Sequence, residues 1–161
     1  MVKEIEEELK EQNELFNLLS KYRINIGVVS EDSYRDESKL SLGVTNAQLM
    51  FIHENGSPTN NIPQRPVLRM TILYARQNLI NHTFNNITDG IINKNWTEQN
   101  IERELKILCS RMEDYARDII YSNDGRLIPN SPIVAKRKKG NHPLFDTGQL
   151  ARSITCQLQK I

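Results

Sequence analysis

Hydrophobic positions recur along this chain in two rhythms, one helical and one alternating. Val2, Ile5, Leu9, Phe16 and Leu19 follow three- and four-residue steps with Glu and Lys opposite, which predicts an amphipathic helix over Val2–Leu19. Such a helix either packs on its own domain or docks as a lever on a neighbouring subunit. Alternation then takes over. Ile24, Ile26 and Val28 share one face of a strand over Arg23–Val29, and Leu40, Leu42 and Val44 share one face of a second over Leu40–Val44. They form a hairpin whose connection, Ser30–Lys39, is polar, charged and longer than the commonest hairpin turns. A loop of that length is either a solvated tip or an arm that touches the next protein in a stack.

A short apolar helix over Ala47–Glu54 should close at Asn55-Gly56, where a positive φ is permitted. Ser57-Pro58 and Ile62-Pro63 hold the chain extended, because a residue before proline is pushed out of the helical region. Pro66 suits the first turn of the next helix, whose stripe runs through Leu68, Ile72, Ala75 and Leu79 to about Asn81. Phe84, Ile87 and Ile91 continue it with a slip of phase. The helix therefore either extends to Ile92 with a break near Asn85-Asn86, or turns at Asp89-Gly90. The cleanest period follows: Ile101, Leu105, Leu108, Met112, Tyr115 and Ile119, capped by Thr97 and ended by Asn123-Asp124-Gly125. This is the expected central core helix. Arg126–Pro143 reads as loop, Asp146 as the cap of a short turn through Leu150, and Ser153–Leu158 as a strand with Ile154, Cys156 and Leu158 on one face. The pattern predicts an α+β fold. A small antiparallel sheet, made of a hairpin at about 23–45 and a C-terminal strand at about 153–159, packs with three to four helices in one domain over 1–161.

Composition changes this picture little. A chain of 161 residues is long enough to bury a core as one domain, and 38% hydrophobic with 25% charged residues is on the polar side for it. A net charge of +1 gives no global field for nucleic acid or an anionic membrane. The longest apolar run, Leu49–Ile52, is far too short to span a bilayer, and MVKEIEEELK has no signal-peptide layout. Cys109 and Cys156 lie far apart in sequence without metal-ligand spacing, and are expected to be buried thiols in a reducing cytoplasm.

Three motifs carry candidate chemistry. His53-Glu54 resembles the start of a zinc-protease helix, but position 57 is Ser where the second His would stand, and His82 and His142 complete no metal site. Asp146-Thr147-Gly148 matches the triplet that presents one carboxylate of an aspartic protease. Those enzymes are nearly all β, however, and a half-size chain would have to dimerise. A turn capped by the Asp side chain, with Gly148 permitting a tight bend, fits better. Lys136, Arg137, Lys138 and Lys139 form a basic run in an expected mobile loop at about 124–143; it is either solvated or touches DNA phosphates non-specifically. The chain reads as a non-enzyme without cofactor or metal.

Two separated blocks carry a resemblance. The first comprises Ala47, His53-Glu54, Gly56, Ile62-Pro63, Arg65-Pro66 and Leu68-Arg69. The second comprises Pro129, Ser131-Pro132, the lysines at 136 and 138, Pro143-Leu144, Asp146-Thr147-Gly148, Leu150 and Ser153-Ile154. In this order the pair resembles the small head–tail joining proteins of tailed bacteriophages, also called tail-completion, neck or virion-morphogenesis proteins. The resemblance implies a structural virion protein at the neck, assembled in the host cytoplasm. It would form a homo-oligomeric ring, hexameric in the virion, at the head-proximal end of the tail tube. It would contact the tail tube or tail terminator on one side and the head connector or adaptor on the other. The alternatives are a tail terminator, a minor connector or packaging protein contacting DNA, and remotely the protease. Within this resemblance Gly56, Pro58, Pro63, Arg65, Pro66 and Arg69 would fix the corner, the two arginines free to pair with carboxylates across an interface. Asp146, Thr147, Gly148, Leu150 and Ser153 would fix the closing turn and strand.

Overall fold

Two alternating stretches from opposite ends of the chain pair with each other. Strand β1 (Tyr22–Val28) runs antiparallel to β2 (Ile154–Lys160), in a register that sets Ile24 against Leu158, Ile26 against Cys156 and Val28 against Ile154. The apolar faces of both strands therefore coincide, and that face lies on the core. The computed structural model describes residues 10, 13, 15–29, 43–138 and 141–161. Of the helix expected over Val2–Leu19, residues 10, 13 and 15–19 are described and are helical. The loop Ser30–Lys39 lies outside the described residues, as do Leu40 and Leu42 of the expected return strand. Gly43 and Val44 carry no strand pairing among the described residues: Gly43 has φ +58°, and Thr45 already caps the next helix. The architecture is α+β, an antiparallel sheet packed with helices.

That next helix, α1 (Asn46–Asn55), begins with a capping box in which the Gln48 N–H donates to Thr45 Oγ1 and the Thr45 N–H to Gln48 Oε1. It ends at Gly56, whose φ of +73° and ψ of 172° only glycine holds without strain; a Cβ there would also press on the backbone of Ile62 and Gln64. A single 3-10 turn at Pro58–Asn60 and a bridge between Ser57 and Ile62 complete the corner.

Helix α2 (Val67–Tyr74) continues through a π turn at Ala75–Leu79 into α3 (Ile80–Lys94). The expected break near Asn85-Asn86 is absent, and the phase slip has its origin ten residues earlier. Val67, Thr71, Ala75, Leu79, Thr83 and Ile87 are all buried, at constant steps of four. In an unbroken α-helix such a line rotates by about 40° per step. The wider π turn rotates it back and keeps one face on the core. Thr71, its hydroxyl donating to Val67 O, takes the core position expected for Ile72, which is 47% exposed. Asp89-Gly90 is helical rather than a turn. Gly90 is there because the Trp96 ring packs onto it: a Cβ would lie 2.1 Å from that ring.

Helix α4 (Glu98–Tyr121) is the expected central helix, started by Thr97, whose N–H and hydroxyl both donate to Asn100 Oδ1. Ile101, Leu105, Leu108, Met112 and Ile119 are buried as predicted, while Tyr115 is half-buried and stacks on Tyr74 at 3.7 Å. Its N-terminal end meets Ile87, Leu15, Leu18, Leu19 and Trp96; its C-terminal end meets Met50, Val67, Leu127, Leu144, Leu150 and Ile154. The stretch expected as loop up to Pro143 contains a helix, α5 (Pro132–Lys138), with Pro132 at its start and Lys136, Arg137 and Lys138 in its last turn. Proline at the first position and cations at the C-terminal end of the dipole both favour it. One turn, α6 (Gln149–Arg152), leads into β2. Among the described residues no helix is long and apolar enough to cross a membrane.

Candidate functional site

The two sequence blocks meet at the C-terminal end of α4, around a cleft of about 340 Å³. Leu49 and His53 of α1 form one wall, Ile62, Pro63 and Arg65 of the corner a second, and Val134, Arg137 and Lys138 of α5 a third. Leu144 and the run Asp146–Leu150 close it.

Arg65 ties the blocks together. It is only 5% exposed; its Nε donates to Ile128 O at 2.7 Å, and its Nη2 donates to Pro129 O at 2.9 Å and to Asn130 Oδ1 at 3.3 Å. Its backbone N–H donates to His53 O at 2.6 Å. Burial lowers the Arg65 pKa. The expectation that Arg65 is free to pair across an interface is therefore corrected: the fork is spent on carbonyls of its own chain. A flexible planar cation reaches those carbonyls more easily than the chain can bury them unpaired.

Asn130 extends the tie. Its N–H donates to Asn141 Oδ1 and its Nδ2 to His142 O, while His142 Nε2–H donates to Ile120 O at 2.6 Å. The His142 ring stacks on Phe145 at 4.6 Å, and Lys138 Nζ donates to Phe145 O. Glu54 serves the other side of the corner, its carboxylate accepting from the Leu68 and Arg69 N–H groups at 3.0 and 2.9 Å. These are otherwise unpaired donors at the start of α2, so the carboxylate caps that helix from outside it. His53 is a buried polar side chain of this cleft that the ties leave unsatisfied. Its Nδ1 is shut from solvent and has no hydrogen bond among the described residues. Burial, with the charges of Arg65 and Lys138 nearby, pushes its pKa down to about 4, so the ring is neutral at pH 7.

The structure brings Pro63, Arg65, Arg137, Lys138, Asp146, Thr147, Gly148 and Leu150 to this cleft. Gly56, Pro58, Pro66, Arg69, Ser153 and Lys136 lie outside its lining, and Lys139 is outside the described residues. Arg69 is exposed, and Ser153 Oγ donates to Leu150 O. Asp146 does not cap the turn as expected. It is exposed and makes no hydrogen bond among the described residues, while the Gln149 N–H reaches Thr147 Oγ1 at 3.4 Å. Gly148, at φ +75°, precedes Gln149, and the Arg152 Nη2 donates to Thr147 O, so the bend is held from its far side. Sequence reasoning missed Glu54 and Asn130 as tie points, though both sit inside the quoted blocks. Asn141 carried no signal, and His142 stood out only as a histidine that completes no metal site.

Chemically the cleft combines apolar side chains with the cations Arg65, Arg137 and Lys138. Among the described residues that line it, Asp146 is the one carboxylate. Among the described residues no cluster of three or more His, Cys, Asp or Glu side chains is placed to hold a metal ion. Compared with known proteins, the chain matches no family model, no curated protein and no solved structure.

Proposed function

We propose that this chain is a structural, non-enzymatic virion protein that completes a phage tail and joins it to the DNA-filled head, as a ring at the head-proximal end of the tail tube. One observation supports this reading above the others. The two blocks that carry the resemblance are separate in sequence, yet Arg65 of the first is hydrogen-bonded to Ile128, Pro129 and Asn130 beside the second. Residues from both line one cleft. A chance likeness of two short segments gives no reason for them to form one unit.

The surroundings of the cleft suit a protein contact. Phe51 on α1 is 71% exposed and Ile133 on α5 is 83% exposed, large apolar side chains on the two helices that wall it. A self-association surface offset from its complement generates a ring when the rotation closes. The tail tube or terminator and the head connector would occupy its two sides. The cations Lys136, Arg137 and Lys138 would add at most a non-specific DNA contact.

Electron microscopy of lysates from a phage with this gene disrupted tests the reading. DNA-filled heads beside free, full-length tails are the expected result. Overlong tails would instead mark a terminator, and empty heads a packaging role; intact virions would overturn the proposal.

A further inference from the structure

The cysteines are distant in sequence and adjacent in space. Cys109 is buried on α4 and Cys156 half-buried on β2, and both thiols are free. They line the same shallow, open depression between helix and strand, with Lys106, Ser110 and Glu113 on the helix side. The alignment of the two elements is fixed around them. Glu113, one turn beyond Cys109 on the same face of α4, accepts the Cys156 N–H at 2.6 Å. Its other oxygen accepts from Arg117, which also donates to Ile154 O at 2.8 Å. Cys156 is thus tied by its own backbone, and by that of the residue two before it, to the helix that carries Cys109. The two side chains face the same depression closely enough to influence each other: Cys156 lowers the Cys109 pKa, while Cys109, with burial, raises that of Cys156.

We propose that Cys109 and Cys156 are a modification site, a thiol pair that closes into an intramolecular disulfide stapling α4 to β2. The oxidant is a small-molecule disulfide of the glutathione class. One thiolate of the pair attacks a sulfur of that disulfide and expels a glutathione thiolate, leaving a mixed disulfide. The second cysteine, as thiolate, attacks the protein sulfur and expels the other glutathione. Two protein S–H bonds and one small-molecule S–S bond become one protein S–S bond and two glutathione thiols. In a reducing cytoplasm the pair stays open. The setting in which it closes rests on the virion reading: a particle released from the cell leaves the reducing compartment and meets an oxidising one. The chemistry itself does not depend on that reading.

The test uses the purified full chain in mixtures of reduced and oxidised glutathione, quenched by alkylation and read by mass spectrometry. Both thiols should disappear together, with loss of the mass of two hydrogens and a Cys109–Cys156 cross-linked peptide. The melting temperature should rise by about 5–15 °C and fall back on reduction. A reaction that stops at a glutathione adduct, links chains to one another, or leaves both thiols free in excess oxidised glutathione overturns the proposal. So does the same rise in Cys156→Ala, which keeps the buried thiol and cannot close the bond. If the bond forms in the purified chain but released particles hold both thiols free, the disulfide stands and the virion setting fails.

Discussion

The two ends of α4 are held in different ways. Around Ile101 and Leu105, the helix meets Ile87, Trp96, Leu15, Leu18 and Leu19, an aliphatic and aromatic cluster. Polar contacts at this end, such as Tyr22 Oη to Glu98 or Lys160 to Glu98, lie toward the surface. Around Ile119 and Ile120, short segments converge from α1, the corner, the stretch after α4 and the turn before α6. Apolar contacts there are supplemented by the Arg65, Asn130 and His142 ties. Long helices carry their own backbone hydrogen bonds and need only a buried face. Short segments leave most backbone groups unpaired, so side chains must find them. The end rich in candidate function is the end built from short segments, and its shape depends on a few specific side chains.

The most damaging test of this contrast removes apolar volume from the first end. Ile101→Ala, at a position 1% exposed, should cost about 3 kcal/mol in urea unfolding, with amide exchange accelerated throughout. Arg65→Ala should cost less, about 2 kcal/mol, because it frees part-buried carbonyls of Ile128 and Pro129 instead of opening a cavity in the core. Its signature should be local, with faster exchange over residues 128–130 and 141–145 and little change around Ile101. If both variants loosen the whole molecule alike, the two ends are one cooperative unit and the contrast is wrong.

A third test uses acid. His53 has a pKa near 4 in the folded chain against about 6.5 when unfolded, so the unfolded state binds the extra proton between those values. Stability is therefore complete above about pH 6.5 and falls as pH drops toward 4. The ring is partly open to solvent, which reduces the effect. From pH 7 to pH 5 the wild type should lose about 1 kcal/mol more than His53→Gln, and the loss should concentrate at the cleft. Equal losses in both proteins would mean that the ring takes up its proton without strain.

What could be read in the sequence divides along the same line. The period through Ile101–Ile119 placed α4, and the alternation at Ile24–Val28 and Ile154–Leu158 placed both strands with their paired faces, because burial of one face repeats at a fixed spacing. The π turn was visible only as a slip of phase, since periodicity reports a missing or added residue without its position. At the cleft the repeat disappears. Gly56, Pro63 and Gly148 mark where the chain bends, but not that Arg65 reaches Ile128 or that Asn130 reaches His142. Those pairings depend on how separate segments meet, and nothing local encodes them. The Asp146 cap failed for that reason: the local rule fitted, while the Thr147 hydroxyl and Arg152 already held the turn. Cys109 and Cys156 give the same lesson, being unrelated in spacing and brought to one depression by the fold.

The smallest expected effect lies at Glu54, where the contrast is sharpest chemically. Its carboxylate sits at the N-terminus of α2, outside that helix, and both oxygens are occupied by the Leu68 and Arg69 N–H groups. Glu54→Gln keeps the length and one good acceptor, but replaces the other with an amide NH2 that faces a donor and removes the charge that complements the dipole. The loss should be about 0.5–1 kcal/mol. Part of it should vanish in high salt, because the charge term is screened while the hydrogen-bond term is not. Ile101→Ala in the same salt series should show no such recovery, since cavity cost does not depend on ionic strength in that way. A Glu54→Gln loss that is independent of salt would assign the cap to hydrogen-bond geometry alone. No loss at all would mean that α2 starts correctly without it, and that the corner is fixed by Gly56, Pro63 and Arg65.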